Sequence, residues 1–218
     1  MKGLCIEHGD YLMIFKEYLR EEFGYNEPIY LDDIKFQNYS RSWIFKELKK
    51  LVDNGVLRRF NTGIYYFPKK MPWGDSVLDA NKIIRRQFLT DGKNIYGYVA
   101  GTSLLNKTGI STQIPNLLEL VSNKETTRVR DIYVGNRRVR ARRSRTTVTK
   151  DNVNVLQFFD LMSSISPSCL DETERYMLSK YIKASGVTRS DVTQYANFFP
   201  AKVMKNMMEC GAVYELAY

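Results

Sequence analysis

A chain of 218 residues, 44% hydrophobic and 26% charged, has the length for one large or two small globular domains and is too mixed in composition for a disordered or fibrous protein. Its formal charge of +9 favours a polyanionic partner, and the lack of any apolar run of membrane-span length, or of a secretory core in the first ten residues, predicts a cytoplasmic protein with no membrane partner. Three dispersed cysteines (Cys5, Cys169, Cys210) and a single histidine (His8) exclude a disulfide framework, a zinc site and a histidine triad, so no metal, no cofactor and no catalytic residue are expected.

Residues 11–23 read as a first helix, with Leu12, Phe15, Leu19 and Phe23 on one stripe and Gly24 as the stop. Pro28, Ile29 and Tyr30 form a short extended entry, and residues 31–36 a second, short helix. Ser40 caps a third helix, whose stripe is Ile44, Leu48, Leu51 and Val52 and whose end is Asn54-Gly55. Its other face carries Ser42, Lys46, Lys49 and Lys50. Two β-rich runs follow, residues 56–60 and 64–67, joined by Asn61-Thr62-Gly63 as a tight hairpin loop. Helix, short helix, helix and hairpin is the order of a winged helix. Pro68, Pro72 and Gly74 then mark a domain boundary, giving a winged-helix DNA-binding domain at 1–72 and a second domain at 73–218.

In the second part, Asp75 or Ser76 is expected to cap a helix using Val77, Ala80, Ile84 and Phe88. Residues 117–121 suit a buried strand. Residues 129–143 suit a hairpin turning at Gly135-Asn136, with Arg138, Arg140 and Arg142 on one face and Val139 and Ala141 on the other. Asp151 is expected to cap a helix through Val155, Phe158, Phe159 and Met162. Asp171 with Glu174 forms a capping box, Thr188 with Asp191 opens another helix, and Pro200 opens the last one before Val203, Met204, Met207 and Met208. The fold class predicted is α+β, a winged helix-turn-helix followed by a mixed α/β domain with a helical C-terminus.

Charge follows this division. Residues 35–72 hold nine basic and two acidic side chains, and residues 128–150 hold nine basic and one acidic, whereas residues 1–34 hold three basic and eight acidic. Positive charge is confined to two islands. In the first, Arg41 and Ser42 at the helix start are the expected base-edge readers and Lys46, Lys49, Arg58 and Arg59 the expected phosphate contacts of duplex DNA, with Lys50, Asn61 and Thr62 also on the DNA-binding surface. The second comprises Arg128, Arg130, Arg137, Arg138, Arg140, Arg142, Arg143 and Arg145, and its wealth of arginine over lysine suits phosphate or carboxylate. The glycines at 97 and 101 lack the Gly-Lys-Ser/Thr ending of a nucleotide loop and are read as close strand–helix packing.

In this order the motifs resemble the AbiEi-type antitoxins of the AbiE abortive-infection, type IV toxin–antitoxin family. The residues that carry the resemblance are Arg58-Arg59-Phe60-Asn61-Thr62-Gly63-Ile64-Tyr65-Tyr66, then Tyr96-Gly97-Tyr98-Val99-Ala100-Gly101-Thr102-Ser103, Ser111-Thr112-Gln113-Ile114-Pro115-Asn116 and Leu120-Val121-Ser122-Asn123. The basic hairpin and Thr147-Val148-Thr149-Lys150-Asp151-Asn152 complete it. The resemblance implies a transcriptional repressor of its own operon that binds promoter DNA through residues 1–72. It also implies that residues 73–218 antagonise a cognate nucleotidyltransferase-like toxin without a stable complex, in phage defence. The lack of a credible nucleophile, metal site or nucleotide loop in the sequence predicts that the chain is not an enzyme. The residues alone leave two other readings open: a winged-helix regulator with no toxin partner, and an RNA-binding protein that uses the arginine hairpin.

Overall fold

A computed structural model describes residues 8–36 and 39–217; Cys5 and most of the segment read for a leader lie outside the described residues. The protein is α+β, and its chain divides into two compact units, residues 1–83 and 84–218.

In the first unit, α1 (His8–Phe23) is followed by β1 (Ile29–Tyr30), a 3-10 turn (Leu31–Asp33), α2 (Arg41–Asp53), β2 (Arg58–Asn61) and β3 (Ile64–Tyr66). The Ser40 hydroxyl accepts the Trp43 N–H at 3.2 Å and so caps α2. Gly55, at φ 69°, turns the chain left-handed into the hairpin, where a side chain would be strained. The strands form an antiparallel sheet in the order β1-β3-β2, with Ile29 opposite Tyr65 and a bulge between Arg59 and Asn61. Phe15, Leu19, Leu48, Leu51 and Leu57 are fully buried between these elements, and each removes enough apolar surface from water to contribute about 2 kcal/mol.

The short helix expected over residues 31–36 is reduced to the single turn at Leu31–Asp33. Ile34 is extended (ψ 111°) because it and Phe36 are drawn into the core, where the Phe36 ring packs 5.0 Å from Phe15 and 5.8 Å from Trp43. Aromatic packing there outweighs local helix preference.

The segment 68–74, read as a domain boundary, enters a small hairpin of β4 (Lys70–Met71) and β5 (Gly74–Asp75). Neither Asp75 nor Ser76 caps a helix. Asp75 accepts ion pairs from Arg58 (2.8 Å) and Lys70 (2.7 Å), while Ser76 bonds the Lys69 N–H and Asn26. With both side chains committed to the hairpin, the helix starts later, as α3 (Ala80–Ile84), and Asp79 accepts the Asn81 N–H. A π turn (Arg85–Leu89) continues it, closed by Thr90 N–H to the Arg85 carbonyl at 2.8 Å.

The second unit has β6 (Gly97–Val99), α4 (Gly101–Lys107), β7 (Leu118–Ser122), β8 (Val129–Val134) and β9 (Arg137–Arg143). They form a four-stranded sheet in the order β6-β7-β9-β8, antiparallel except for the β7–β9 pair. The turn at Gly135-Asn136 falls where the sequence puts it. Then come α5 (Val153–Ser164), α6 (Glu172–Ser185), α7 (Arg189–Tyr195), α8 (Ala201–Glu209) and α9 (Ala212–Glu215). The residue at the start of α5 is Asn152 rather than Asp151, and it makes no side-chain cap to α5; its side chain instead accepts the Thr149 N–H and donates to the Thr147 carbonyl, bracing the loop. Both expected helix openings, Asp171/Glu174 and Thr188/Asp191, are reciprocal capping boxes. Phe158, Phe159, Leu161 and Met162 of α5 are fully buried against α6, α7 and α8, and Asn206 of α8 donates to the Met162 and Ile165 carbonyls, satisfying acceptors at the end of α5.

Candidate nucleic-acid interface

On α2 the apolar register puts Ile44, Leu48 and Leu51 inside, and 100° per residue then carries Ser42, Lys46 and Lys49 to the opposite face, where all three are exposed. Among the described residues Lys46 and Lys49 form no ion pair, so their charge is available to a ligand. Phe45, 48% exposed, lies beside them. Sequence reading did not single it out, although its place outside the apolar stripe of α2 is visible in the register.

The other expected DNA-facing residues are more engaged. Arg41, the first residue of α2, reaches Asp32 of the 3-10 turn at 2.6 Å, both side chains being largely exposed, and such a pair costs little to open. Lys50 is held by Glu47, a carboxylate almost fully buried, at 2.7 Å, and so compensates that charge. Arg58 forks onto Asp75. Arg59 donates to the Asn61 carbonyl and to the Thr62 hydroxyl, and the Asn61 side chain accepts the Thr62 N–H at 2.8 Å, so the wing tip is braced from within. Arg59 has no carboxylate partner among the described residues. The first unit therefore carries Ser42, Lys46 and Lys49 on the exposed face of α2, Arg41 at its first residue on a weak tether, and Arg59 on the internally braced hairpin that follows.

In the second unit the alternation is as expected: Val139 and Ala141 are fully buried, with Arg138, Arg140 and Arg142 on the other face. These three arginines are not a free solvent face. Arg138 and Arg140 both pair with Asp131 across the hairpin at 2.8 Å, and Arg142 pairs with Asp160 of α5 at 3.2 Å. Arg140, followed by Arg138, holds the Asp131 carboxyl down at about 2. Arg130 is spent on Glu125, whose carboxylate is buried; burial pushes that carboxyl up, yet hydrogen bonds from Thr127 and Arg130 outweigh it and leave it below the ordinary range. Glu125 and Asp160 enter the island from outside it in sequence. Arg128, Arg137, Arg143 and Arg145 keep no ion pair among the described residues, and Arg145 lies 5.4 Å from the Phe199 ring centre.

Two adjoining clefts lie on this face, of about 590 and 440 Å³, sharing Val129, Arg142 and Asp160. Tyr98 donates to Asp160 at 2.6 Å, and burial pushes its hydroxyl well above the usual tyrosine range, so it stays a donor. Among the described residues no group of three acidic, cysteine or histidine side chains is arranged to hold a metal, and no helix is long and apolar enough to cross a membrane. Gly97 and Gly101 are packing glycines: a Cβ on Gly97 would fall 2.0 Å from the Phe88 carbonyl oxygen, and one on Gly101 2.3 Å from the Glu119 carboxylate.

Comparison with curated proteins finds no match. A family model does match, over residues 29–184, from β1 through nearly all of α6, and it therefore takes in both basic islands and both clefts. With well over half of its length matched, the chain belongs to DUF6088, a family of unknown function.

Proposed function

We propose that this protein is a DNA-binding autorepressor that serves as the antitoxin of a type IV toxin–antitoxin pair, acting in the cytoplasm and catalysing no reaction. The observation that carries the DNA reading is the exposed face of α2, where Lys46 and Lys49 form no ion pair among the described residues, Ser42 lies beside them, and a braced basic hairpin follows. A helix with polar and cationic side chains at groove-facing spacing suits a major groove, and Arg59 on the wing suits a flanking phosphate. Arg41 serves as a base reader by exchanging its exposed contact with Asp32 for a guanine edge. The toxin half of the proposal rests on the resemblance of the ordered motifs to AbiEi-type antitoxins, and antagonism of a nucleotidyltransferase-like toxin is assigned to residues 73–218, the greater part of which is the second compact unit.

The test is a promoter fusion measured with and without the protein, together with growth of cells co-expressing the product of the adjacent gene. Repression with growth rescue supports the full reading. Repression without rescue would leave a winged-helix regulator with no toxin partner. A chain that prefers structured RNA to promoter duplex would contradict the DNA assignment.

A further inference from the structure

We propose that the 440 Å³ cleft between α5 and the β8–β9 hairpin is a binding site for a small phosphorylated ligand of nucleotide size, held by its phosphoryl groups. The inference is independent of the DNA reading, since it concerns the other compact unit. Arg128, Arg142, Arg143 and Arg145 all line this cleft, and among the described residues the only carboxylate lining it is Asp160. That carboxylate already accepts from Tyr98 and pairs with Arg142, so the other three guanidinium groups have no internal counter-charge among the described residues. Four like charges gathered around one concavity repel one another, and an anion in the cleft relieves that repulsion.

Arg142 supplies a second, independent sign. Its Nη2 is used by Asp160, but its Nε is buried with no hydrogen-bond acceptor among the described residues. A buried donor without an acceptor is unusual and unfavourable, and a turn of the guanidinium toward an oxygen-rich ligand in the cleft that Arg142 lines would satisfy it. Val121 and Val129 give the cleft apolar wall, which lowers the local dielectric and offers contact to the uncharged part of a ligand.

Size and charge select the ligand class. A space of this volume falls in the range of small-molecule sites and is far too small for a duplex. Four guanidinium groups against one carboxylate call for more than one negative charge, and several acceptor oxygens on one centre match guanidinium forks, which points to a phosphomonoester or diphosphate rather than to a carboxylate.

The test is calorimetric titration of the full chain with pyrophosphate, with ADP and with a short single-stranded oligonucleotide, at about 0.15 M salt so that unspecific attraction is screened. Pyrophosphate and ADP should each bind saturably. The double variant Arg143→Gln/Arg145→Gln should lower both affinities by about tenfold or more through lost charge-assisted hydrogen bonds, with an unchanged melting temperature. Arg128→Gln should weaken binding in the same direction and serves if the double variant does not fold. Lys46→Ala/Lys49→Ala, on the other unit, should leave nucleotide binding unaltered and so separates failure of this site from failure of the DNA reading. Absence of saturable binding, or binding indifferent to these arginines, would overturn the proposal. So would tight binding of the oligonucleotide with which neither pyrophosphate nor ADP competes, because the cleft would then be a strand groove.

Discussion

Arg142 on β9 and Asp160 on α5 pair at 3.2 Å, and this contact ties the arginine-rich hairpin to the most buried helix of the second unit. Asp160 is 6% exposed and Arg142 27%, so loss of the carboxylate strands a largely desolvated cation and also orphans the Tyr98 hydroxyl. Asp160→Ala should therefore destabilise the protein by about 3 kcal/mol, whereas Tyr98→Phe, which removes one hydrogen bond and leaves the ion pair, should cost about 1 kcal/mol. Urea unfolding of the two variants checks this. Equal and small losses would mean that the pair does not hold the hairpin to α5.

Gly97 lies where β6 passes beneath the π turn, and its missing side chain is what lets the two backbones approach. A methyl group there would meet the carbonyl oxygens of Phe88 and Val121, at 2.0 and 2.5 Å, and neither is the end of a flexible side chain. Gly97→Ala should cost at least about 2 kcal/mol, through backbone shifts of the overpacking kind. A melting temperature equal to that of the unmodified protein would contradict the close approach.

Asp131 titrates at about 2 in the folded chain, chiefly through its hydrogen bond from Arg140, against an ordinary 3.8. A depressed folded value means that its contribution is complete above about pH 4 and is lost as the pH falls toward 2. Asp131→Asn should flatten the pH dependence of stability in that window. It should also release Arg138 and Arg140, so that salt-sensitive binding to any polyanion that uses this face becomes stronger. Carboxyl chemical shifts followed through an acid titration report the first effect directly; a midpoint near 4 would remove the basis for both.

What was legible in the sequence was local. Ser40, Gly55 and the Asp171/Glu174 and Thr188/Asp191 pairs act within a few residues, and each performs the role its position suggests. The alternation of β9 was legible for the same reason. The partners of the arginines were not: Asp160 lies 18 residues from Arg142 in sequence, so a chain read in order counts Arg142 as free charge when it is spent on a distant carboxylate. The lost helix at residues 34–36 and the late start of α3 have the same origin. Phe36 follows a ring contributed by α1, and Asp75 follows a guanidinium contributed by β2. Half of the second basic island is thereby internal structure, leaving Arg128, Arg137, Arg143 and Arg145 as its available charge.

The most direct measurement of the DNA assignment is the salt dependence of promoter binding by the full chain and by Lys46→Ala/Lys49→Ala. Lys46, Lys49 and Arg59 are the cations of helix and wing with no carboxylate partner among the described residues, and three phosphate contacts correspond to a logarithmic salt slope of about −3. The double variant should bind more weakly and flatten that slope by about 2, alike for promoter and random duplexes, because phosphate contacts carry no sequence information. Identical slopes and affinities for the two proteins would contradict the placement of DNA on the exposed face of α2.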